Sequence, residues 1–380
     1  MASELAGETI VHVVTTVQHG GAERVVLELA SRQRALGADV KVICLQQLGD
    51  LLPLFERAGI PVALVAGSGR PGALRMAWRL GGALRSAGAT VVHTHNSAPQ
   101  VTAGLGQQLR RWRRQGTVLV HTEHGRLGDV RPALLRWRRW TVSEFDAVFA
   151  VSLDAQAQLL EHGIRSASGV DVVLNGIDVS RFPRRDAAHP AGTHVVHVGR
   201  LDRIKGQDVL MAAIPRVREG VPTARFTIVG DGPMRGELEQ QANRLGLTDV
   251  VKFVGATDDV RPYLESADLF VLPSRSEGIS LALLEAMASG LAVVATDVGG
   301  NREVISSAAT GTLVAAEQPA ELAAAIVDLL RQPGAARAAG MAGRELVERR
   351  FSSATTAQVY AGHYRRLRAA GSGRITRSAA

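Results

Sequence analysis

Short apolar runs recur along the whole chain and alternate with stretches of helical periodicity. The first series is rich in β-branched residues and lies at residues 10–17, 40–45, 61–65, 90–95, 117–123, 147–152 and 170–175. A second series lies at residues 194–199, 225–230, 250–255, 269–274, 291–296 and 311–316. Strands that alternate with helices at this spacing predict mostly parallel sheets that are covered by helices on both faces.

A polar stretch with two prolines and a glycine, residues 181–192, separates the two series and is typical of a linker. The 380 residues, 46% of them hydrophobic, exceed one ordinary core and suit two domains of about 150–200 residues each. We therefore predict an α/β fold with two doubly wound, Rossmann-like domains, residues 1–182 and 194–352, joined by a linker at 183–193. Ligands of such sheets bind beyond the carboxyl ends of the strands, so two facing domains would share a central cleft.

Composition narrows the class of protein further. The single cysteine, Cys44, excludes an internal disulfide framework and fits a reducing compartment. The first ten residues lack the basic region of a secretory signal, and no uncharged apolar stretch approaches the roughly 20 residues of a membrane span. We expect a cytoplasmic protein. Its net charge of +8 comes almost wholly from arginine, which often reflects genomic base composition, so we expect no nucleic-acid partner.

Two glutamates, eight residues apart, stand at the start of a predicted helix in the second domain. Glu277 precedes the helix, and Glu285 shares a helical face with Leu281 and Ala288, so its carboxylate needs hydrogen-bond donors. The two hydroxyls of a ribose would supply them, while the amides of Gly278, Ile279 and Ser280 would form part of an anion site. This layout fits a nucleotide-diphosphate sugar with its hexose near Glu277. The alternative is that both glutamates are ordinary surface residues.

Two cations follow the first strand of the second domain. Arg200 and Lys205 lie on one short turn, and Lys205 is one of only three lysines in the chain. Such a pair would neutralise the charge that develops on a departing diphosphate. The alternative is two solvated loop charges.

Two further groups lie at strand ends of the first domain. Gly20 and Gly21 follow the first strand and let backbone approach a ligand closely, although ordinary turns also contain two glycines. Four histidines follow two later strands, and for each of them a structural role is the alternative to hydrogen bonding in the cleft: His93, His95, His121 and His124. A distant lone cysteine and the lack of an H-E-x-x-H motif argue against a metal site.

Together these pieces resemble the family 4 glycosyltransferases of the GT-B fold. The family pattern E-G-x-x-x-x-x-x-E matches residues 277–285, V-G-R-L with K-G matches 198–206, and G-D-G-P matches 230–233. A Gly-Gly-x-Glu matches residues 20–23, N-G-I-D matches 175–178, and the sequence VGGNREVI at 298–305 resembles a late family motif. Six motifs in the family's order make the resemblance specific, and it covers nearly the whole chain.

The resemblance implies a retaining, metal-independent hexosyltransferase that needs no cofactor beyond its nucleotide-sugar donor. UDP is the first expectation for the nucleotide and GDP the second. In the family pattern Arg200 and Lys205 hold the diphosphate, Glu285 the ribose and Glu277 a sugar hydroxyl, and His124 lies beside the scissile bond. The remaining donor-side and acceptor-side positions are Gly20, Gly21, Gly230, Gly232, Pro233, Gly278, Ile279, Ser280, His93, His95 and Asn175. The family also returns its last helix, here residues 353–370, to the first domain.

The acceptor is expected to be a glycan, a lipid-linked sugar or a metabolite. Trp112, Trp137, Trp140 and Trp78 stand among arginines in the first domain, which suits contact with an anionic membrane at the inner face of the plasma membrane. The alternative is a solvated arginine face with the tryptophans packed inward. Three other functions remain open: a sugar-nucleotide epimerase, which needs no acceptor; a phosphorylase, which needs phosphate; and a non-catalytic sugar-nucleotide binder.

Overall fold

The computed structural model describes residues 4–18, 20–66, 72–114, 116–125, 131–184 and 192–373, with the backbone alone for 371–373. By its internal contacts the chain divides into unit 1, Met1–Gly176 with Ser353–Ala380, and unit 2, Ile177–Ser352. Each unit is built on a parallel β-sheet that alternates with helices, so the predicted α/β, Rossmann-like fold class is confirmed.

Seven strands form the sheet of unit 1 in the order β3-β2-β1-β4-β5-β6-β7. They are β1 Thr9–Thr16, β2 Asp39–Gln47, β3 Val62–Leu64, β4 Val91–His95, β5 Val118–Glu123, β6 Ala147–Ala150 and β7 Asp171–Val172. The helices between them are α1 Gly21–Ala35, α2 Leu52–Arg57, α3 Ala73–Ala87, α4 Ser97–Arg110, α5 Pro132–Thr141 and α6 Leu153–Glu161. The strand order reverses between β1 and β4, which is where ligands bind in doubly wound sheets.

Six strands form the sheet of unit 2 in the order β10-β9-β8-β11-β12-β13, with the reversal between β8 and β11. They are β8 His194–Val198, β9 Arg225–Val229, β10 Val251–Gly255, β11 Leu269–Leu272, β12 Ala292–Thr296 and β13 Thr312–Val314. The helices are α7 Gln207–Gly220, α8 Arg235–Arg244, α9 Arg261–Ser266, α10 Leu281–Ala288, α11 Asn301–Val304, α12 Pro319–Arg331 and α13 Pro333–Arg350. Every apolar run that the sequence analysis singled out therefore contains a strand.

The last helix, α14 Ser353–Gly373, belongs to unit 1, where it packs on α1 and β5. The division between the units falls at Gly176, six residues before the boundary expected from the sequence. The reason is local pairing, because Ile177 N donates to Phe351 O at 2.9 Å and Arg344 Nη1 donates to Phe182 O at 2.8 Å. Residues 185–191 of the predicted linker lie outside the described residues.

Successive residues of each unit 1 strand serve different faces of the sheet. In β1, Ile10 and Val14 join the core that includes α14, while Val11 and Val13 join the core on the opposite face. The period of two therefore directs His12 toward α1 and α14. Its neighbours His93 and His95 in β4 share that face, so three imidazoles meet beneath two helices.

Candidate functional site

Glu277 and Lys205 come from loops that follow the neighbouring strands β11 and β8, and the structure brings them together. Lys205 Nζ lies 2.7 Å from Glu277 Oε1, and the Ser274 hydroxyl donates to the same oxygen at 2.6 Å. Glu277 is only 7% exposed. Burying a carboxylate is costly unless it is paired and hydrogen-bonded, and both requirements are met here. The pair is thus a fixed feature of the unit 2 switch point, the place where the strand order reverses between β8 and β11.

A third cation, which the sequence analysis missed, ties the same two loops together. Arg275 donates from Nη1 and Nη2 to the two carboxylate oxygens of Asp208 at 2.7 and 2.8 Å, and its backbone N–H donates to Ile204 O at 2.7 Å. These hydrogen bonds lower the pKa of Asp208 below its usual range. Since Asp208 lies in the first turn of α7, 67 residues away in sequence, no local pattern pointed to the pair.

Arg200 differs from Lys205 in its freedom. Its side chain is 71% exposed, with Nε 3.6 Å from Asp202 Oδ2. Its backbone is fixed, because the Gln207 amide donates to Arg200 O at 2.8 Å and also lies 3.1 Å from His197 Nε2. Burial lowers the pKa of His197 to about 4, so this ring is neutral near pH 7. A fixed backbone with a projecting guanidinium leaves Arg200 available to an anionic ligand.

The glycines of the G-D-G-P segment are required by contact with a neighbouring backbone. A Cβ at Gly230 would lie 2.0 Å from Gly199 O, and one at Gly232 would lie 2.3 Å from Leu201 O. The Leu201 amide also donates to Asp231 O at 3.0 Å, just before Pro233. The segment therefore supports the backbone that carries Arg200, and its direct contact with a donor stays a prediction.

The residues before α10 also make structural contacts inside unit 2. The Ser280 hydroxyl is the N-cap and accepts from Leu283 N at 3.4 Å, Ile279 is buried, and Gly278 O accepts from Gly300 N at 3.0 Å. Glu285 lies half-buried on α10. The helix begins at Leu281, one residue after the start near Ser280 that the pattern predicted. The ribose-binding role of Glu285 stays a prediction.

A continuous chain of hydrogen bonds runs through the histidines of unit 1. His12 Nε2 lies 2.7 Å from Gln33 Oε1, and His12 Nδ1 lies 2.8 Å from His95 Nε2. The other nitrogen of that ring, His95 Nδ1, lies 2.8 Å from His124 Nε2. Burial lowers the pKa of His12 and of His124 to about 4, and that of His95 well below its usual range. The rings are therefore neutral near pH 7.

His124 ends this chain at the residue after β5. Its backbone N–H donates to Asn96 Oδ1 at 3.1 Å, and Asn96 adopts a positive φ of 65° to cap α4. Its remaining ring nitrogen, Nδ1, is buried and has no hydrogen-bond partner among the described residues. A buried nitrogen without a partner is costly, so this atom is the one in the cluster that is placed to accept a ligand group.

The other histidines differ from His124. His93 lies 2.7 Å from Tyr364 OH through Nδ1 and 2.7 Å from Thr122 Oγ1 through Nε2, so neither nitrogen remains for an acceptor. His95 is likewise engaged on both sides. His121 points to the opposite face of the sheet, where Nε2 lies 3.6 Å from the Glu123 carboxylate. The four histidines that the sequence grouped are thus split by the alternation of strand residues.

Gly20, which was expected on the donor side, and Gly21, which was expected on both the donor and the acceptor side, differ in their surroundings. A Cβ at Gly20 would lie 2.2 Å from the Glu23 carboxylate, whereas one at Gly21 would meet nothing within 4 Å. The absence of a side chain at Gly20 therefore makes room for the Glu23 carboxylate. Burial raises the pKa of Glu23. At Gly21 the space beside the backbone is open among the described residues. Asn175 is buried beside the end of unit 1. The binding roles of these residues stay predictions.

The histidine cluster bears on metal binding as well. Ligand atoms of His12, His93 and His95 lie within 4.8 Å of one another. Two nitrogens on one tetrahedral zinc lie roughly 3.3 Å apart at the usual bond lengths. The His12 and His95 nitrogens are closer, at 2.8 Å, and share a hydrogen bond. These rings would have to break that bond to hold a metal, so they fit a hydrogen-bond chain better.

The tryptophans are divided between the interior and the surface. Trp112 is 2% exposed and donates to Ala103 O, so its predicted place on an interfacial surface was wrong. Trp78 on α3, and Trp137 and Trp140 on α5, are 45 to 53% exposed. Between the last two, Arg138 is fully buried and donates to Glu123 Oε2 at 2.5 Å. This buried pair fixes α5 with both its tryptophans outward.

Comparison with known proteins agrees with this architecture. A family model described as Glycosyltransferase Family 4 matches residues 19–181, and one described as Glycosyl transferases group 1 matches residues 192–332. A crystal structure of the Anabaena protein HepE in complex with UDP has a TM-score of 0.80 at 23% identity, and the match covers 94% of this chain and 99% of that one. The fold and the two matches define a glycosyltransferase of the GT-B class.

The curated relatives agree with this class. A glycogen synthase of Mycobacterium tuberculosis is 35% identical over 253 residues, which are 63% of this chain and 61% of that protein. A GDP-mannose-dependent alpha-(1-6)-phosphatidylinositol monomannoside mannosyltransferase of the same species is 35% identical over 200 residues, 48% of this chain and 52% of that protein. The chain thus spans less than two thirds of the length of these relatives. It belongs to the family 4 glycosyltransferases.

Among the helices of the described residues, none combines the length and the apolar character that a membrane span requires.

Proposed function

We propose that this protein transfers a hexose from a nucleotide-diphosphate sugar to a glycan, lipid-linked or metabolite acceptor, with retention of configuration and without a metal. The observation that carries the proposal is the arrangement of Lys205, Glu277 and Arg200 at the switch point of unit 2. A buried carboxylate lies beside an ammonium group and near a largely exposed guanidinium, so groups that bind hydroxyls and groups that bind phosphate occur together.

The charges match the chemistry of the reaction. When a glycosidic bond to a diphosphate breaks, negative charge accumulates on the departing phosphate oxygens. Arg200 and Lys205 are placed on one loop to stabilise that charge, which is how enzymes lower such barriers most effectively. Glu277 accepts hydrogen bonds from sugar hydroxyls through the oxygen that Lys205 and Ser274 do not occupy. Two cations take the part that a metal plays in other transferases, which supports a metal-independent reaction.

The nucleotide is proposed from two sources that point in different directions. The HepE structure contains UDP, which favours UDP, whereas the mannosyltransferase relative is named for GDP-mannose. We place UDP first and GDP second. Glu285 on α10 is proposed to accept from the ribose hydroxyls, which both nucleotides share, so its role does not depend on the base.

A transfer assay tests the proposal. The protein is incubated with UDP-glucose, UDP-N-acetylglucosamine, UDP-galactose and GDP-mannose, with and without EDTA, and release of nucleoside diphosphate is followed with and without a lipid and glycan extract. We expect release with one donor, dependent on acceptor, and a product whose anomeric proton is equatorial, as in an α-glycoside, because these donors are α-configured. Acceptor-dependent release that is abolished by EDTA, or an inverted product, would contradict the metal-free, retaining mechanism.

The same assay separates the other functions. An epimerase converts the donor without any acceptor, and a phosphorylase requires inorganic phosphate. A non-catalytic binder retains the donor without turnover. Lys205→Met tests the role of the cations in turnover, because it removes the ammonium group at similar side-chain length while leaving Arg200 in place. We expect turnover to fall by roughly a hundredfold, as for loss of one electrostatic contact to a developing charge.

For the acceptor, we propose that unit 1 meets an anionic membrane surface. Trp78, Trp137 and Trp140 project from α3 and α5, which both pack against α4, and exposed leucines accompany them on all three helices: Leu74, Leu109 and Leu134. The Arg110 guanidinium lies 4.0 Å from the centre of the Trp78 ring. Tryptophan and arginine on neighbouring helices suit the boundary between headgroups and acyl chains.

Sedimentation with vesicles tests this surface. We expect the protein to pellet with vesicles that contain phosphatidylglycerol at low salt and to remain in solution with pure phosphatidylcholine. Trp137→Ser together with Trp140→Ser should release it, whereas Leu153→Ser on α6, which is also exposed, should not. Equal binding of both variants would contradict the assignment of this surface.

A further inference from the structure

The direction of the hydrogen bonds in the unit 1 histidine chain is determined at one end. Gln33 Nε2 donates to Tyr364 OH at 3.3 Å, so Gln33 presents its carbonyl oxygen, Oε1, to His12. An amide oxygen only accepts, and therefore His12 Nε2 carries the proton. A neutral imidazole has one N–H, so His12 Nδ1 is the acceptor of its pair with His95.

The same rule passes along the chain. His95 Nε2 must donate to His12 Nδ1, which leaves His95 Nδ1 as an acceptor. His124 Nε2 must then donate to His95 Nδ1, and His124 Nδ1 carries a lone pair. This is the buried nitrogen that has no partner among the described residues. The orientation of one amide, three rings away, thus fixes what His124 offers.

We propose that Gln33, His12 and His95 are positioning residues that hold His124 in the Nε2–H tautomer, with Nδ1 as an acceptor for a substrate hydroxyl. The hydroxyl role rests on the proposed function, whereas the tautomer does not. A catalytic or binding imidazole with its tautomer set by a hydrogen bond to its other nitrogen is a known device in proteins. Here that device extends over three rings.

The arrangement explains why polar groups occupy a buried core. Apart from His124 Nδ1, each ring nitrogen and amide atom along the chain has a partner, and the Tyr364 hydroxyl also lies 2.7 Å from His93 Nδ1. Gln33 and His12 are 0% exposed. An apolar core at these positions would avoid the desolvation of these polar groups, so a buried network with one open nitrogen at its end favours a defined proton arrangement as its purpose.

Nitrogen NMR of the whole 380-residue chain with labelled histidine tests the proposal. Correlations between ring nitrogens and carbon-bound protons distinguish a protonated from an unprotonated nitrogen, and His124→Asn assigns the signals of His124. We expect an unprotonated Nδ1 and a protonated Nε2 at His124 in the wild type. A protonated Nδ1, or a comparable mixture of both tautomers, would overturn the proposal.

Two variants of Gln33 separate positioning from packing. Gln33→Met removes the acceptor at similar volume, and we expect the single tautomer of His124 to give way to a mixture. Gln33→Glu still accepts from His12 Nε2, so it should restore the single tautomer. Tryptophan fluorescence shows that each variant is folded. An unchanged His124 tautomer in folded Gln33→Met would contradict the relay.

Two titrations complete the test. Addition of zinc to the wild type should leave the His12 and His95 signals unchanged, and coordinated rings would overturn the hydrogen-bond chain. Addition of the donor identified by the transfer assay should move the His124 Nδ1 signal, while the nucleotide alone should not. An Nδ1 that stays unmoved by a bound donor would refute the hydroxyl role, even if transfer itself is observed.

Discussion

Mild acid should destabilise unit 1 through its buried histidines. Burial lowers the pKa of His12 from 6.5 to about 4, while in the unfolded chain the ring regains its ordinary pKa. The unfolded state therefore binds a proton that the folded state does not. Stability is fully present above pH 6.5 and is lost as the pH falls toward 4.

The magnitude follows from the shift. At pH 5 the single ring of His12 costs about 2 kcal/mol, and below pH 4 the cost levels off at about 3 kcal/mol. Burial also lowers the pKa values of the other four histidines of this region: His93, His95, His121 and His124. The combined cost of two such rings, His12 and His124, is about 4 kcal/mol at pH 5, which is already a large part of the 5–15 kcal/mol that stabilises a typical domain. Glu123 adds to the loss at lower pH, because its pKa is also below its usual value.

Tryptophan fluorescence is the natural assay, since all four tryptophans lie in unit 1: Trp78, Trp112, Trp137 and Trp140. Urea unfolding is followed at pH 7, 6 and 5, and the free energy of unfolding is extrapolated to water. Each proton taken up on unfolding contributes about 1.4 kcal/mol per pH unit to the slope. His12→Asn should reduce the slope of the unfolding free energy against pH by about 1.4 kcal/mol per pH unit, the contribution of one proton.

We expect a fall of at least about 4 kcal/mol between pH 7 and pH 5. A fall below about 1.4 kcal/mol, which corresponds to less than one such ring, would refute the conclusion that the imidazoles are buried and neutral.

Two further predictions concern the supports of the site. Gly206→Ala should destabilise unit 2 by several kcal/mol, because the residue has a φ of +66° and its Cβ would lie 2.1 Å from Pro273 O. The control Gly236→Ala, whose Cβ would meet nothing within 4 Å, should be neutral or stabilising. Thermal unfolding followed by circular dichroism measures both variants, and equal effects would contradict the packing around Gly206. Glu123→Gln should cost unit 1 about 3 kcal/mol by leaving the buried Arg138 without its counter-charge, and a loss below about 1 kcal/mol in urea unfolding would show that the pair is not buried.

The strands were predictable from sequence because a buried parallel strand is a short, nearly continuous apolar run. The runs at residues 90–95 and 269–274, for example, correspond to β4 and β11. The start of α10 was predictable to within one residue, because the apolar helical pattern begins near Ser280, which proves to be the N-cap. These features depend on neighbours in sequence, which is why the pattern along the chain sufficed.

The partners of the site residues were less predictable, because they come from distant segments. Glu277 and Lys205 were each singled out, but their contact depends on β8 and β11 lying side by side. His12 was missed because it stands in an apolar strand, and Gln33 because it stands on a helix face that packs on that strand. The inward Trp112 was misjudged because α4 ends at Arg110 and the chain turns at Arg111, so Trp112 does not continue the helical spacing of the arginines before it.

The central claim is that unit 2 binds the nucleotide of a sugar donor through Glu285 without a metal. Calorimetric titration of UDP, GDP, ADP and TDP in EDTA, on wild type and Glu285→Ala, tests it most directly, with Glu265→Ala on α9 as the control. We predict that one nucleotide binds, that Glu285→Ala weakens its affinity by about tenfold or more, as loss of hydrogen bonds to a carboxylate should, and that the control binds as the wild type does. No binding of any nucleotide by the folded protein, or equal affinity in Glu285→Ala, would contradict the account.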